Sequence, residues 1–181
     1  MAKDAHKLGC GSIINCTGLG SKKLIPNDDE PLIGGRGVLL HYNRDCKRKD
    51  SDNEMNDLIN DAAILTEDGP WGTSSDPCYI IPRGDIYVVG GTYHEGSTDT
   101  TLNDSEKKRL RENSQIFGID SEVDPVGEWA GFRPCRQTVR LEVDTDLSSS
   151  FNVRVIHSYG HGGSGWTTYV GVAQDTVKLL Q

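Results

Sequence analysis

Near its C-terminus the sequence reads Tyr159-Gly160-His161-Gly162-Gly163-Ser164-Gly165-Trp166-Thr167. Gly160, Gly162 and Gly165 satisfy the spacing G-x-G-x-x-G, and a strand-like run, Val153–Ile156, precedes them. A helical pattern follows, with Val170, Ala173, Val177 and Leu180 spaced three, four and three apart. A glycine turn feeding a helix exposes backbone N–H groups and the positive end of the helix dipole, so it stabilises anionic charge. A complete dinucleotide-binding unit also needs a second strand and an acidic residue about 20 positions further on. Only residues 166–181 follow Gly165, so this turn is not expected to open such a unit. A turn serving packing alone would carry the same glycines. A second glycine pair, Gly18 and Gly20, follows the apolar run Ser12-Ile13-Ile14 and permits a close backbone approach.

His157 and His161 invite a metal reading. His94 is remote in sequence and no carboxylate stands at ligand spacing, so no metal site is expected. The cysteines at 10, 16, 46, 78 and 135 are odd in number, widely spaced and without a C-x-x-C pair, which favours free thiols. Asn15-Cys16-Thr17 matches a glycosylation acceptor pattern, and no export signal accompanies it.

The chain has 181 residues, 35% apolar, with 21 glycines, which together make an ordinary globular composition. Its formal net charge is −8, which argues against a nucleic-acid partner. No stretch approaches the ~18 consecutive apolar residues of a membrane span, so no membrane partner is expected either.

Several elements must position these residues. Ser12-Ile13-Ile14 reads as a buried strand running into a turn, and Pro31–Leu40 as a turn and a strand. Residues 41–61 are highly charged and read as a solvated loop. Cys78–Pro82 and Ile86–Gly91 read as strands joined by a hairpin at Arg83-Gly84-Asp85. Asn103 or Asp104 caps a helix with Leu110 and Phe117 inside and Gly118 as its stop. Further strands are expected at Val139–Val143 and Val153–Ile156. The stripe Val170, Ala173, Val177, Leu180 on the last helix is of the kind that faces a core, and in this chain by itself it is expected to lie uncovered. The mixed order of elements indicates an α/β or mixed α+β fold.

Three blocks together are more specific than any of these signals. They are Ile14–Lys22 (INCTGLGSK), Tyr79–Tyr93 (YIIPRG with VVGGTY), and Gly131–Thr167 (GFRPCRQTVRLE with HSYGHGGSGWT). In this order they resemble the C-terminal half of the D-amino-acid oxidase family, which includes D-aspartate oxidase. The resemblance runs from about Gly11 onward and is weakest across 41–72. It implies a partial two-domain FAD oxidoreductase: the end of a dinucleotide-binding domain plus a mixed-sheet substrate domain. The implied division is residues 1–35 and 151–181 in the FAD domain and 36–150 in the substrate domain. The family's N-terminal fingerprint, expected ahead of the matched region, does not occur in this sequence. The chain is therefore expected to be a fragment that holds FAD weakly by itself.

The resemblance also implies roles. Arg133, in Gly131-Phe132-Arg133-Pro134, would bind the substrate carboxylate through its planar fork. Tyr79 would donate its phenol to the same carboxylate, and Tyr93 matches a second substrate tyrosine of some members. Gly162, Gly163, Gly165 and Thr167 would contact FAD from one side, Thr17 and Gly18 from the other. Arg136 and Arg140 are expected to be structural or solvated. Hydride transfer to the flavin requires no catalytic base among the side chains. The implied partners are a D-amino acid and O2, with a homodimer as the implied assembly. Neutral substrates are expected ahead of D-aspartate, because no added arginine stands near Ile64–Asp68 or at Tyr93. A noncatalytic fragment is the alternative. The implied compartment is peroxisomal or cytoplasmic, and the terminal Lys178-Leu179-Leu180-Gln181 is not of the Ser-Lys-Leu type.

Overall fold

The computed structural model describes residues 9–46, 59–60, 62–66 and 76–181. The chain divides into two compact units. One joins the N-terminal residues through Gly34 to Arg133–Gln181; the other is Gly35–Phe132. The sequence reading draws its second boundary at 150/151, whereas compactness draws it at 132/133. The reason lies in residues 140–144, which pair with the strand that follows them, Arg140 facing Tyr159 and Asp144 facing Val155.

The unit of Gly35–Phe132 is built on an antiparallel sheet. β2 (Ile33–Asn43) pairs with β5 (Ile86–Gly90), β5 with β4 (Cys78–Arg83), and β4 with β3 (Ile64–Thr66). The two-residue β6 (His94–Glu95) pairs with β2. The expected hairpin is present, and Gly84 supplies its positive φ of 58°. Strand alternation puts Val38, Leu40, Tyr42, Ile80, Tyr87 and Val89 on one face, all fully buried. Helix α2 (Asp104–Ile116) contributes Leu110 to the same core, joined by Phe117 just beyond it. The reading of 41–61 as loop needs correction at its start. β2 continues through Asn43, because Tyr42 pairs with Tyr87 in the core. Ile59 is also buried there, while 47–58 lie outside the described residues.

The start of α2 follows the expected cap. The Asn103 side chain accepts from the Glu106 N–H at 2.9 Å, and Glu106 accepts from the Asn103 N–H at 3.0 Å. Glu106 does more than cap. Arg36 of β2, 2% exposed, reaches its two oxygens at 2.5 and 3.1 Å and donates to the carbonyls of Asp99 and Thr101. The Arg36 hydrogen bond outweighs burial and holds the Glu106 carboxyl below its usual range.

The other unit carries a mixed sheet. β1 (Ser12–Asn15) runs parallel to β8 (Arg154–His161), and the Cys135–Asp144 part of β7 (Gly127–Asp144) runs antiparallel to β8. Short helices α1 (Ser21–Leu24) and α3 (Thr145–Phe151) follow β1 and β7, and α4 (Gly165–Leu179) follows β8. One expectation fails here. β1 is not a buried strand, since Ile14 is 42% exposed. The α4 stripe lies uncovered, as expected for this chain by itself: Val170 is 52% and Val177 56% exposed, and Thr176 is the helix's one buried residue. This helix lies beside β8. Ile14, Ser158, Ala173 and Val177 therefore line an open cleft of about 550 Å³. Cys16, Cys78 and Cys135 are free thiols. No helix among the described residues is long and apolar enough to cross a membrane.

Removing one partner of a buried ion pair strands the other charge, at about 3–5 kcal/mol. Glu106→Ala is therefore expected to lower unfolding free energy by about that amount in urea. Lys107→Ala, at an exposed pair with Glu128, should cost under about 1 kcal/mol. Equal losses for the two variants would contradict the clamp.

Candidate functional site

The glycines at the end of β8 and just after it are closely packed by their neighbours. Gly160 has φ 90°, and a Cβ there would lie 2.7 Å from Arg136 Cβ. Gly162 has φ 56°, with Cys135 Sγ 3.4 Å from where its Cβ would stand. The same construction at Gly163 meets Arg133 Cδ at 3.6 Å, and at Gly18, with φ 54°, it meets Pro134 at 3.5 Å. The unit thus gathers Thr17-Gly18, Arg133-Pro134-Cys135 and Gly162-Gly163-Gly165. Neither the 3-10 turn Gly162–Ser164 nor α4 has a side-chain cap at its N-terminus. Thr167, in the first turn of α4, is exposed. The buried Nε2 of His161 has no hydrogen-bond partner.

Below this turn lies a polar network that the sequence reading did not assemble. The Asp28 carboxylate receives Arg136 Nη2 at 2.8 Å and the Tyr159 hydroxyl at 2.6 Å, with Arg140 Nη1 at 3.3 Å. Arg136 also meets Asp29 and Glu30, and Arg140 donates to Tyr159 Oη at 2.9 Å and Glu142 at 2.8 Å. Both arginines are structural, as expected. Burial would raise the Asp28 carboxyl, but hydrogen bonds from Tyr159 and Arg136 outweigh it and hold it well below the usual range. Burial and the bond to Asp28 push the Tyr159 phenol up. The signal was present in sequence: an acidic run, Asp28-Asp29-Glu30, and two arginines four apart on a strand, hence on one face.

A second chain of bonds reaches the Thr17 turn. Asn15 Oδ1 accepts from the Thr17 N–H at 3.2 Å, the Thr17 hydroxyl at 2.7 Å and the Ser21 hydroxyl at 3.4 Å. That fixes its amide orientation, so Nδ2 donates to His157 Nδ1 at 3.2 Å. The proton of the fully buried imidazole is then on Nε2, which donates to Asp144 at 3.0 Å. Both ring nitrogens are thus used within the protein. The Asn15 amide, 2% exposed, is not available for glycosylation.

Tyr79 and Tyr93 belong to the other unit. Tyr79 pairs with Gly90 across the hairpin, on the sheet face opposite the core. A methyl group at Gly90 would overlap the phenol, and one at Gly91 would come 2.5 Å from Cε1, so the ring lies on this glycine pair. Tyr93 follows in the irregular segment before β6, half-buried.

Comparisons with known proteins agree with this architecture. The fold is that of flavin oxidoreductases: glycine oxidase from Bacillus cereus superposes with a TM-score of 0.67 at 18% identity, over 94% of this chain and 42% of that one. The sequence model described as FAD dependent oxidoreductase matches residues 2–179, and the chain belongs to that family. The D-amino-acid oxidase of Dictyostelium discoideum is 33% identical over 172 residues, 93% of this chain and 42% of its own. D-aspartate oxidase 1 of Caenorhabditis elegans is 29% identical over 180 residues, 96% of this chain and 46% of its own. The chain thus spans less than half the length of these relatives. FAD is the cofactor of the family. The residues present fit its flavin end. The turn is too tight for side chains at Gly160, its helix N-terminus is uncapped, and His161 Nε2 lacks a partner.

A carboxyl whose pKa is depressed by folding stabilises fully above its unfolded value, about 3.9 for Asp, and loses that contribution as pH falls below it. The melting temperature should therefore drop on acidification below about pH 4. Asp28→Asn should melt lower at neutral pH and lose less between about pH 4 and 2. Parallel melting curves for the two proteins across that range would contradict the role given to Asp28.

Proposed function

We propose that this chain supplies the substrate-facing part and the flavin turn of an FAD-dependent D-amino-acid oxidase. That enzyme converts a neutral D-amino acid, O2 and water into a 2-oxo acid, ammonia and hydrogen peroxide. The observation that carries this reading is the approach of Arg133 to the glycine turn, its Cδ within 3.6 Å of a Cβ built on Gly163. It is supported by relatives named D-amino-acid oxidase and D-aspartate oxidase.

Bound FAD would accept a hydride from the substrate α-carbon and pass its electrons to O2. Gly162, Gly163, Gly165 and Thr167 would hold it at the N-terminus of α4, with Thr17 and Gly18 opposite. The uncapped N–H groups there favour a cofactor edge that gains negative charge. Arg133 would bind the substrate carboxylate by its two-pronged guanidinium, which leaves the α-hydrogen in a fixed direction. Tyr79 would donate its hydroxyl to the same carboxylate, and Tyr93 would help exclude water. No side chain needs to take a proton from the α-carbon. The imino acid left behind takes up water and releases ammonia.

Neutral substrates are favoured in part because four described arginines of the Tyr79 unit are engaged within it, while Arg83 of β4 is exposed. Arg36, Arg109 and Arg111 are paired with Glu106, Asp76 and Asp124, and Arg44 donates to the carbonyls of Gly84 and Asn60. None of these four is left for a side-chain carboxylate.

The test is made in an oxidase completed with the remaining length of the relatives. Arg133→Ala should lower kcat/KM by about two to three orders of magnitude, and Arg133→Lys by less. In a hydrogen peroxide assay D-Ala, D-Met or D-Pro should outrun D-Asp. Near-normal kcat/KM for Arg133→Ala would overturn the assignment, and D-Asp as the best substrate would make the enzyme a D-aspartate oxidase.

A further inference from the structure

Tyr79 lies at an end of its sheet, where two strand termini could splay. β4 begins two residues after Asp76, and β5 ends at Gly90, the glycine on which the ring lies. A backbone bond from the Gly91 N–H to the Pro77 carbonyl, 2.8 Å, links the two. Arg109 of α2 ties the same two termini from the core side. Its Nη2 donates to the Asp76 carbonyl at 2.7 Å, and its Nη1 donates to Asp76 Oδ1 at 2.5 Å and to the Gly91 carbonyl at 3.3 Å. One guanidinium thus fixes the start of the strand that carries Tyr79 and the glycine beneath its ring. Both glycines are sterically required for this: any side chain at Gly90 or Gly91 would occupy the space of the phenol.

We propose that Arg109 is a positioning residue for Tyr79: it holds the Asp76 and Gly91 strand ends at one separation and thereby sets the location of the phenol. Its consequence for substrate rests on the reading of Tyr79 as a carboxylate ligand. The placement of the ring does not. A lysine cannot replace Arg109, because a single ammonium cannot span the Asp76 carbonyl, the Asp76 carboxylate and the Gly91 carbonyl together. The other α2 cations nearby serve differently: Lys107 pairs with Glu128, and Arg111 with Asp124.

The test places 3-fluorotyrosine at position 79 of the 181-residue chain and records its 19F spectrum. Gly90→Ala, which must displace the ring, sets the size of the response. Arg109→Gln should shift or broaden the resonance in the same sense, Arg109→Lys should fail to restore it, and Lys107→Gln should leave it unchanged. If Arg109→Gln does not fold, Asp76→Asn keeps the carbonyl bond and should give a smaller shift. An unmoved resonance in both Arg109→Gln and Asp76→Asn overturns the proposal. In the completed oxidase, Arg109→Gln should raise KM for D-Ala about tenfold with kcat and flavin absorbance little changed. A moved resonance with unaltered KM in both Arg109→Gln and Tyr79→Phe supports the brace and overturns instead the substrate role of Tyr79.

Discussion

The unit that carries the glycine turn depends on one carboxylate. Asp28 gathers Arg136, Arg140 and Tyr159, and so joins the loop before β2 to the middle of β7 and to β8. Without it Arg136 and Arg140 would keep Asp29, Glu30 and Glu142 but lose the one carboxylate that they share with the Tyr159 phenol. Such a group of cations is tolerable only with its anions present, because a buried unpaired charge costs several kcal/mol. The groups on β7 and at the end of β8 that are proposed to touch cofactor or substrate depend on that arrangement. β7 has an irregularity between Cys135 and Arg140, and there Arg136 turns back against Gly160. That irregularity carries the chain from Arg133, beside Gly163, to the regular pairing of 140–144 with β8. The separate chain from Thr17 through Asn15 and His157 to Asp144 fixes the other glycine turn to the same strands.

The unit of Gly35–Phe132 uses the same device. One face of its sheet is apolar and is closed by α2, and the other face bears Tyr79. Two arginines fasten helix to sheet: Arg36 grips the capping carboxylate of Glu106, and Arg109 reaches Asp76 and Gly91. Each guanidinium satisfies backbone carbonyls as well as an acid. That is a use for which its five fixed donors suit it and a lysine ammonium does not.

Local chemistry made parts of this legible in sequence. The hairpin at Gly84, the capping box at Asn103 and the glycine turn after β8 each follow from backbone requirements over a few residues. The three blocks that resemble an oxidase family were legible for a different reason: they hold glycines and an arginine where contacts leave little freedom. What was missed depends on distant residues. β7 was expected only at Val139–Val143 but runs over Gly127–Asp144, because charged residues bound to Asp28 and its neighbours hide the alternation. The stripe on α4 was legible as an apolar face, though periodicity specifies a face and not what covers it. Asp28 itself sits in an acidic run that composition alone assigns to solvent.

Hydrogen exchange tests the central role of Asp28 most directly. The backbone amides of Cys135–Arg140 and Tyr159–His161 would be followed in the wild-type chain and in Asp28→Asn at neutral pH. Loss of protection in both segments together, with the amides of β4 and β5 unchanged, is the result expected if this carboxylate holds β7 and β8 in place. Unchanged protection there, or a change confined to Asp28–Glu30, would mean that the strands keep their positions without it.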